Sequence, residues 1–287
     1  MPYTVPMTDA QGAYPNYKFI KPLTPSEQKA AFHVQDEAGK DLCFKIIAPN
    51  YSLDRLEREI EALQSINHPN VVSLVEYTYS SRQGGTNKHF IIEEYIEGSD
   101  LAKYVQPGNI WTLEIAAPFF AMLCDGLYAM HNKQIVHRDL KPTNIRVRPD
   151  GSPVIIDFGL ARHLSLPDIT RTVDGTGVGT PAYFSPEQFN GRKADIDART
   201  DLFAIGIILY QVLVGQHPFL HASMTIADLN HQVCNSKECL NNPTFLALPK
   251  NWQLLITRLL EKERAKRPQN AEIVAVLLRK FAAGGVA

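Results

Sequence analysis

Ile135-Val136-His137-Arg138-Asp139-Leu140-Lys141-Pro142-Thr143-Asn144, followed after a short interval by Val154-Ile155-Ile156-Asp157-Phe158-Gly159, is the stretch that decides the reading of this chain. It sets two carboxylates, a lysine and an asparagine between short apolar runs. Asp139 stands in a brief polar loop that can aim it at a hydroxyl, and Lys141, two residues on, can neutralise a nearby anion. Asn144 and Asp157 each offer an oxygen ligand of the kind a hard divalent cation takes, and Gly159 permits a backbone turn after Phe158. Singly, each is an ordinary turn residue with an incidental charge. Together and in this order they point to chemistry.

The ordered set resembles the catalytic loop and metal-binding motif of the protein kinase family, in its eukaryotic-like (Hanks-type) serine/threonine branch. The resemblance runs from about Tyr17 to Phe281. It implies an α+β, bilobal fold, with a small antiparallel β-sheet lobe carrying one main helix and a larger, mainly α-helical lobe. It also implies ATP and Mg2+ as cofactors, with Mn2+ as an alternative, and transfer of the γ-phosphate to Ser or Thr hydroxyls of protein substrates, including the chain itself. In-line transfer needs a carboxylate to orient the attacking hydroxyl and oxygen ligands that hold metal against the phosphates. By resemblance, Asp139 is the base or hydroxyl orienter, Lys141 stabilises charge, and Asn144 and Asp157 bind metal and nucleotide. Lys45 would grip the phosphates and Glu59, on the next helix, would hold Lys45. Glu57 and Glu61 point around that helix toward solvent. Glu94 and Ile96 belong to the segment that meets adenine.

Farther along, Gly179-Thr180-Pro181-Ala182-Tyr183-Phe184-Ser185-Pro186-Glu187 resembles the family's substrate-receiving segment, with Ser185 where many members carry Ala. By the same analogy Glu187 pairs with Arg267 and Asp201 braces the catalytic loop. Lys141 and Thr180 are similar to the serine/threonine branch, and Tyr183 to Gln188 resembles bacterial members. Arg138 resembles an arginine that captures a phosphorylated loop residue, for which Thr176 and Thr172 are the candidates.

Two places depart from the pattern. The turn that should read Gly-x-Gly-x-x-Gly is Thr24-Pro25-Ser26-Glu27-Gln28-Lys29, with no glycine to let backbone N–H groups approach phosphates. Either the loop is useless and the chain is a pseudokinase, a nucleotide-binding or scaffold module, or side chains such as Ser26 and Lys29 replace the lost contacts. The second departure is Glu93, where a buried position is usually apolar or Thr. A buried carboxylate must find a partner, be protonated, or face elsewhere in a shifted register. A small-molecule phosphotransferase is a further alternative, opposed by Phe158-Gly159 and by Gly179 to Glu187.

The chain has 287 residues, 45% hydrophobic and 21% charged, with 29 basic against 30 acidic side chains. That is a folded protein with no bulk field for nucleic acid. Cys43, Cys124, Cys234 and Cys239 lack metal-ligand spacing, which predicts a reduced, cytoplasmic chain. No uninterrupted apolar run reaches the ~20 residues of a membrane span, and Met1 to Tyr17 lacks a leader pattern. The composition leaves the oligomeric state open.

Coarse periodicity divides the chain into an irregular arm at 1–16, the smaller lobe at 17–97, the helical lobe at 98–282 and a tail at 283–287. Ala31-Phe32-His33-Val34 and Leu42 to Ile47 read as a hairpin around Asp36 to Lys40. Leu53, Leu56, Ile60, Leu63 and Ile66 form a helical stripe capped by Ser52. Val71 to Tyr79 and His89 to Ile96 read as strands. Ile115, Phe119, Leu123, Leu127 and Met130 predict a long helix, and Leu202 to Val214 one buried on all sides. Two amphipathic helices, near Leu254 to Leu260 and Ile273 to Phe281, complete the chain.

Overall fold

The computed structural model describes residues 1–78, 89–159, 161–163, 181–191 and 193–284. Two compact units form, Met1–Asn67 with Val72–Glu97, and His68–Val71 with Gly98–Ala287. Gly98 opens the second unit at φ 120°, where a Cβ would overlap the Val147 carbonyl, so no other residue fits.

The first unit begins with α1 (Met7–Ala13), then β1 (Lys18–Pro22), β2 (Lys29–Gln35), β3 (Asp41–Ile47), α2 (Leu53–Ser65), β4 (Leu74–Thr78) and β5 (Phe90–Glu94). The antiparallel sheet has the order β1-β2-β3-β5-β4. The β2–β3 hairpin runs in regular register from Lys29 opposite Ile47 to Gln35 opposite Asp41. Asp36 Oδ1 closes its turn by accepting the N–H groups of Ala38 and Lys40, at 3.0 and 2.8 Å.

Strand alternation then sorts the side chains by face. Ala30, Phe32, Val34, Leu42, Phe44, Ile46, Phe90 and Ile92 form one buried cluster. The opposite face takes Lys29, Ala31 and His33 from β2, Cys43, Lys45 and Ile47 from β3, and Ile91 and Glu93 from β5. One face is a core and the other carries charge.

Residues 1–16 are not irregular: α1 lies within them, and Ala10 is 1% exposed in the aromatic cluster. Tyr3, Val5, Tyr14 and Tyr17 pack there too, with the Tyr14 ring 4.8 Å from Phe44. A seven-residue helix is too short to show a period or to hold by itself, so its stability comes from this packing. On α2, Leu56, Ile60 and Leu63 are buried with Glu59, while Glu57 and Glu61 face solvent. Ser52 precedes α2 in an extended conformation, with no side-chain cap bond.

The second unit contains β6 (Ser99–Asp100), α3 (Leu113–Asn132), β7 (Ile135–Val136), β8 (Ile145–Val147), β9 (Pro153–Ile155) and β10 (Arg162–His163). These are followed by α4 (Pro186–Phe189), α5 (Ala198–Val214), α6 (Ile226–Asn235), α7 (Pro243–Leu246), α8 (Lys250–Leu259) and α9 (Ala271–Ala282). Strands β6-β8-β9 form one small sheet, and β7 pairs with β10. His68–Val71 joins this unit because Asn70 donates to the Pro153 carbonyl at 2.7 Å and accepts from the Ile155 amide at 2.9 Å.

Helix α5 is the hub: from Thr200 to Val214 only Gln211 is not fully buried. Each large apolar side chain so buried contributes about 1.5–3 kcal/mol. Helix α3 packs against α9 and α5. Although the sequence shows no uninterrupted apolar run of spanning length, α3 is long and apolar enough to cross a membrane. Just over half of its apolar window is buried inside the protein. Its stripe starts later than the periodicity predicts, since Ile115 lies on the surface.

After α5, His217 Nδ1 accepts the backbone N–H groups of Phe219 and Leu220 at 3.1 and 2.9 Å. Burial pushes its pKa down from 6.5 to about 4. The folded state therefore prefers the neutral ring. Its stability is full above pH 6.5 and falls as pH drops from there toward 4, by no more than about 3 kcal/mol. Urea midpoints measured across that window should fall in the wild type and fall less in His217→Gln.

Candidate active site

The loop after β7 is fixed from beneath by α5. Asp201 accepts the backbone N–H groups of His137 and Arg138, each at 2.9 Å, and pairs with His131 Nε2 at 2.9 Å. Burial alone would raise the Asp201 pKa. The His131 hydrogen bond and charge and the Arg138 amide outweigh it and hold the carboxylate below its ordinary value. The same bonds hold Arg138 at φ 68°, a left-handed conformation that costs on the order of 1–3 kcal/mol in a non-glycine residue. Gln188 Nε2 adds a bond to the Arg138 carbonyl at 2.7 Å.

His137 is wholly buried and links the loop to the strand that follows. Its Nε2 lies 3.1 Å from the Ile156 carbonyl, which can only accept, and its Nδ1 accepts the Asp139 amide at 3.3 Å. These two bonds place the ring proton on Nε2.

Asp139, Lys141 and Asn144 meet in one cluster. Lys141 Nζ donates to Asp139 Oδ2 at 2.8 Å, and Asn144 Nδ2 donates to the Asp139 carbonyl and to Oδ2 at 2.8 and 3.2 Å. With its nitrogen so committed, Asn144 has its side-chain oxygen left to offer a cation. The Ile156 amide donates to the Asn144 carbonyl at 3.0 Å, which sets Asp157 beside that hairpin. The left-handed backbone here falls on Asp157 itself, at φ 64°, and its Oδ1 accepts the Gly159 amide at 3.3 Å.

In the first unit the lysines pair differently from the expectation. Glu59 Oε1 accepts from Lys29 Nζ, and Glu59 Oε2 accepts from the Tyr51 hydroxyl at 3.3 Å. Lys45 Nζ instead lies 2.6 Å from Glu93 Oε2. Glu93 has thus found the partner that its burial, at 1% exposure, requires. Register explains the choice: Lys45 and Glu93 lie diagonally on one sheet face, with Cys43 opposite Glu93 and Lys45 opposite Ile91. Ser26 builds its own turn, with its amide on the Lys29 carbonyl at 2.9 Å and its Oγ accepting the Gln28 amide at 3.3 Å. Glu94 ends β5, its amide bonded to the Ser73 carbonyl at 3.0 Å, and Ile96 is buried just beyond.

Residues 30–277 match the family described as protein kinase domain. The chain belongs to that family.

Among its relatives, the serine/threonine-protein kinase pkn2 of Myxococcus xanthus is 35% identical over 77% of this chain and 26% of its own length. The serine/threonine-protein kinase ULK3 of Homo sapiens is 33% identical over 75% of this chain and 43% of its own. The probable serine/threonine-protein kinase PknB of Bifidobacterium longum is 29% identical over 86% and 37%. The chain therefore spans between a quarter and a half of the length of these relatives. Membership carries with it the family's general use of ATP and a divalent cation.

The donor set of this kinase domain fits such a cation. Asn144 and Asp157 supply hard oxygens, and among the described residues no group of three or more His, Cys, Asp or Glu forms a closed cage. A hard divalent cation can take one or two such protein oxygens and complete its shell with phosphates and water. Thr172, Thr176 and Gly179-Thr180 lie outside the described residues.

Downstream, Arg267 grips Glu187 with two parallel bonds of 2.8 Å, and Thr200 Oγ1 adds a third at 2.8 Å. Sequence reasoning missed Tyr51 and Gln188. Tyr51 belongs to no motif, and the signal for the role of Gln188 is its place three residues after Ser185, where it completes a capping box on α4.

Proposed function

We propose that this chain is the catalytic domain of an ATP- and Mg2+-dependent protein serine/threonine kinase, with Mn2+ able to substitute for Mg2+. The observation that carries the reading is the Asp139–Lys141–Asn144 cluster, in which one loop holds a carboxylate, a cation and a metal-ligating amide in mutual hydrogen-bond contact. The oxygen of a substrate Ser or Thr attacks the γ-phosphorus, the bond from that phosphorus to the oxygen bridging the β-phosphate breaks, and ADP leaves. Asp139 orients the hydroxyl and receives its proton, and Lys141 neutralises charge on the moving phosphoryl group. Asn144 and Asp157 would hold the metal, which would supply charge neutralisation at the phosphates.

The turn at Thr24–Lys29, with Ser26, lies over the phosphates, and the backbone of Glu94 and Ile96 takes the adenine. Lys45, Lys29 and Glu59 supply the buried charge on that face. Proteins, rather than nucleic acids, are the substrates. The four cysteines, without metal-ligand spacing in the sequence, support a reducing, cytoplasmic setting. A scaffold-only reading is disfavoured because the whole phosphoryl-transfer set is kept.

The test incubates the purified chain with γ-labelled ATP, Mg2+ and a panel of protein acceptors. Label is expected on Ser and Thr of the acceptor or of the chain itself, with none when EDTA removes the metal. Label no greater than in the EDTA sample across the whole panel would sink the proposal.

A further inference from the structure

Two lysines and two glutamates share the charged face of the first unit, and they sort into two pairs. Lys29 bonds Glu59 on α2, and Lys45 bonds Glu93 on β5. All four are at least nine-tenths buried. Each buried carboxylate needs a cation, so the sorting is fixed by which lysine reaches which glutamate.

Strand register separates the pairs along the sheet. Lys29 sits opposite Ile47, at the end of β3. Glu93, which draws Lys45 back, sits opposite Cys43. Four residues of strand lie between these levels, roughly 13 Å at the rise of an extended chain. Lys45 is thus directed toward the Glu94 end of β5. Lys29 stands at the other end, as the last residue of the Thr24–Lys29 turn and the first of β2.

Lys29 is held in a built site. Its carboxylate partner is held through its second oxygen by the Tyr51 hydroxyl, and Lys29 Nζ lies 5.9 Å from the Tyr51 ring centroid. Opposite Lys45, β2 carries only the small side chain of Ala31.

We infer that Lys29, positioned by Glu59 and Tyr51, is the lysine that grips the phosphates of ATP in this domain, and that Lys45 is committed to Glu93 near the adenine end. The inference rests on the kinase reading above for which end of the face receives phosphate. It makes the loss of the third glycine and the gain of a phosphate ligand one and the same substitution, at position 29. Lys29 touches substrate and is a catalytic residue. Glu59 and Tyr51 are positioning residues.

The test is a double-mutant cycle on the whole chain, read by label transfer and by calorimetric binding of ATP and of adenosine. Lys29→Met and Glu59→Gln should each lower kcat/KM about 10²-fold. Together they should do little more than either alone, because they remove one coupled unit. Lys45→Met should add to Glu59→Gln independently. Lys29→Met should weaken ATP binding and leave adenosine binding unchanged, which a merely structural lysine would not do.

The inference is overturned if Lys29→Met transfers phosphate at the wild-type rate, or if Glu59→Gln couples to Lys45→Met instead. If Lys29→Met does not fold, the two double variants decide: Lys45→Met/Glu59→Gln must be slower than Lys29→Met/Glu59→Gln. A wild type that binds ATP through Lys29 but transfers nothing overturns the kinase reading and leaves this inference standing. A wild type that binds no ATP overturns both.

Discussion

Asp139→Asn is expected to slow phosphoryl transfer by about 10²–10⁴-fold, the range for removing a positioned general base. The asparagine amide keeps an oxygen that can accept from Lys141 and Asn144, as Asp139 Oδ2 does now at 2.8 and 3.2 Å, so the loop should hold its shape. It cannot take the substrate proton. Because Asp139 is assigned to the attacking hydroxyl and not to the nucleotide, ATP affinity should change by less than about threefold, and the loss should appear in kcat. Single-turnover transfer and calorimetric ATP binding separate the two effects. A large fall in ATP affinity with kcat preserved would reassign Asp139 to nucleotide binding.

Arg267→Met should lower the stability of the chain by about 3–5 kcal/mol, the cost of breaking a buried pair by removing one partner. Arg267 is 4% exposed, and besides its two bonds to Glu187 it donates to the carbonyls of Arg199 and Glu261, both at 2.9 Å. Its guanidinium also lies 4.8 Å from the Phe203 ring centroid. The substitution leaves the Glu187 carboxylate with Thr200 as its remaining hydrogen-bond donor from this cluster.

The pH dependence gives this prediction a second signature. In the wild type, burial pushes the Glu187 pKa up, but the Arg267 bonds and charge outweigh it and hold the value below the ordinary 4.5. Its contribution is therefore complete above that ordinary value and is lost as pH falls through the lower folded one. In Arg267→Met the burial effect is left without its counterweight, so Glu187 takes a proton more readily. The stability gap between variant and wild type should then be widest near neutral pH and narrow on acidification. Urea unfolding at pH 7.5 and pH 4.5 measures both gaps, and a difference below about 1 kcal/mol at pH 7.5 contradicts the assignment.

The catalytic segment was legible because its chemistry is local. Asp139, Lys141 and Asn144 lie within six residues, and the Ile156 amide bonded to the Asn144 carbonyl sets Asp157 beside the same hairpin, so their order along the chain, with the resemblance it carries, places them. The Asp201 brace and the Glu187–Arg267 pair were also legible, though only by resemblance, because each spans a long stretch of chain. The helix at Met7–Ala13 was not legible. It has too few residues for a period, and the reason it forms is an aromatic cluster contributed by four later strands.

The sequence by itself carried the resemblance to a protein kinase domain and its ordered candidate residues, and it marked Glu93 and the glycine-free turn as anomalies. Only the tertiary structure decided which cation Glu93 takes. A buried carboxylate takes whichever cation the sheet register brings within reach on its own face, and register is a property of paired strands. That is why Glu93 holds Lys45 and Glu59 holds Lys29, a pairing that no linear spacing between these four residues encodes.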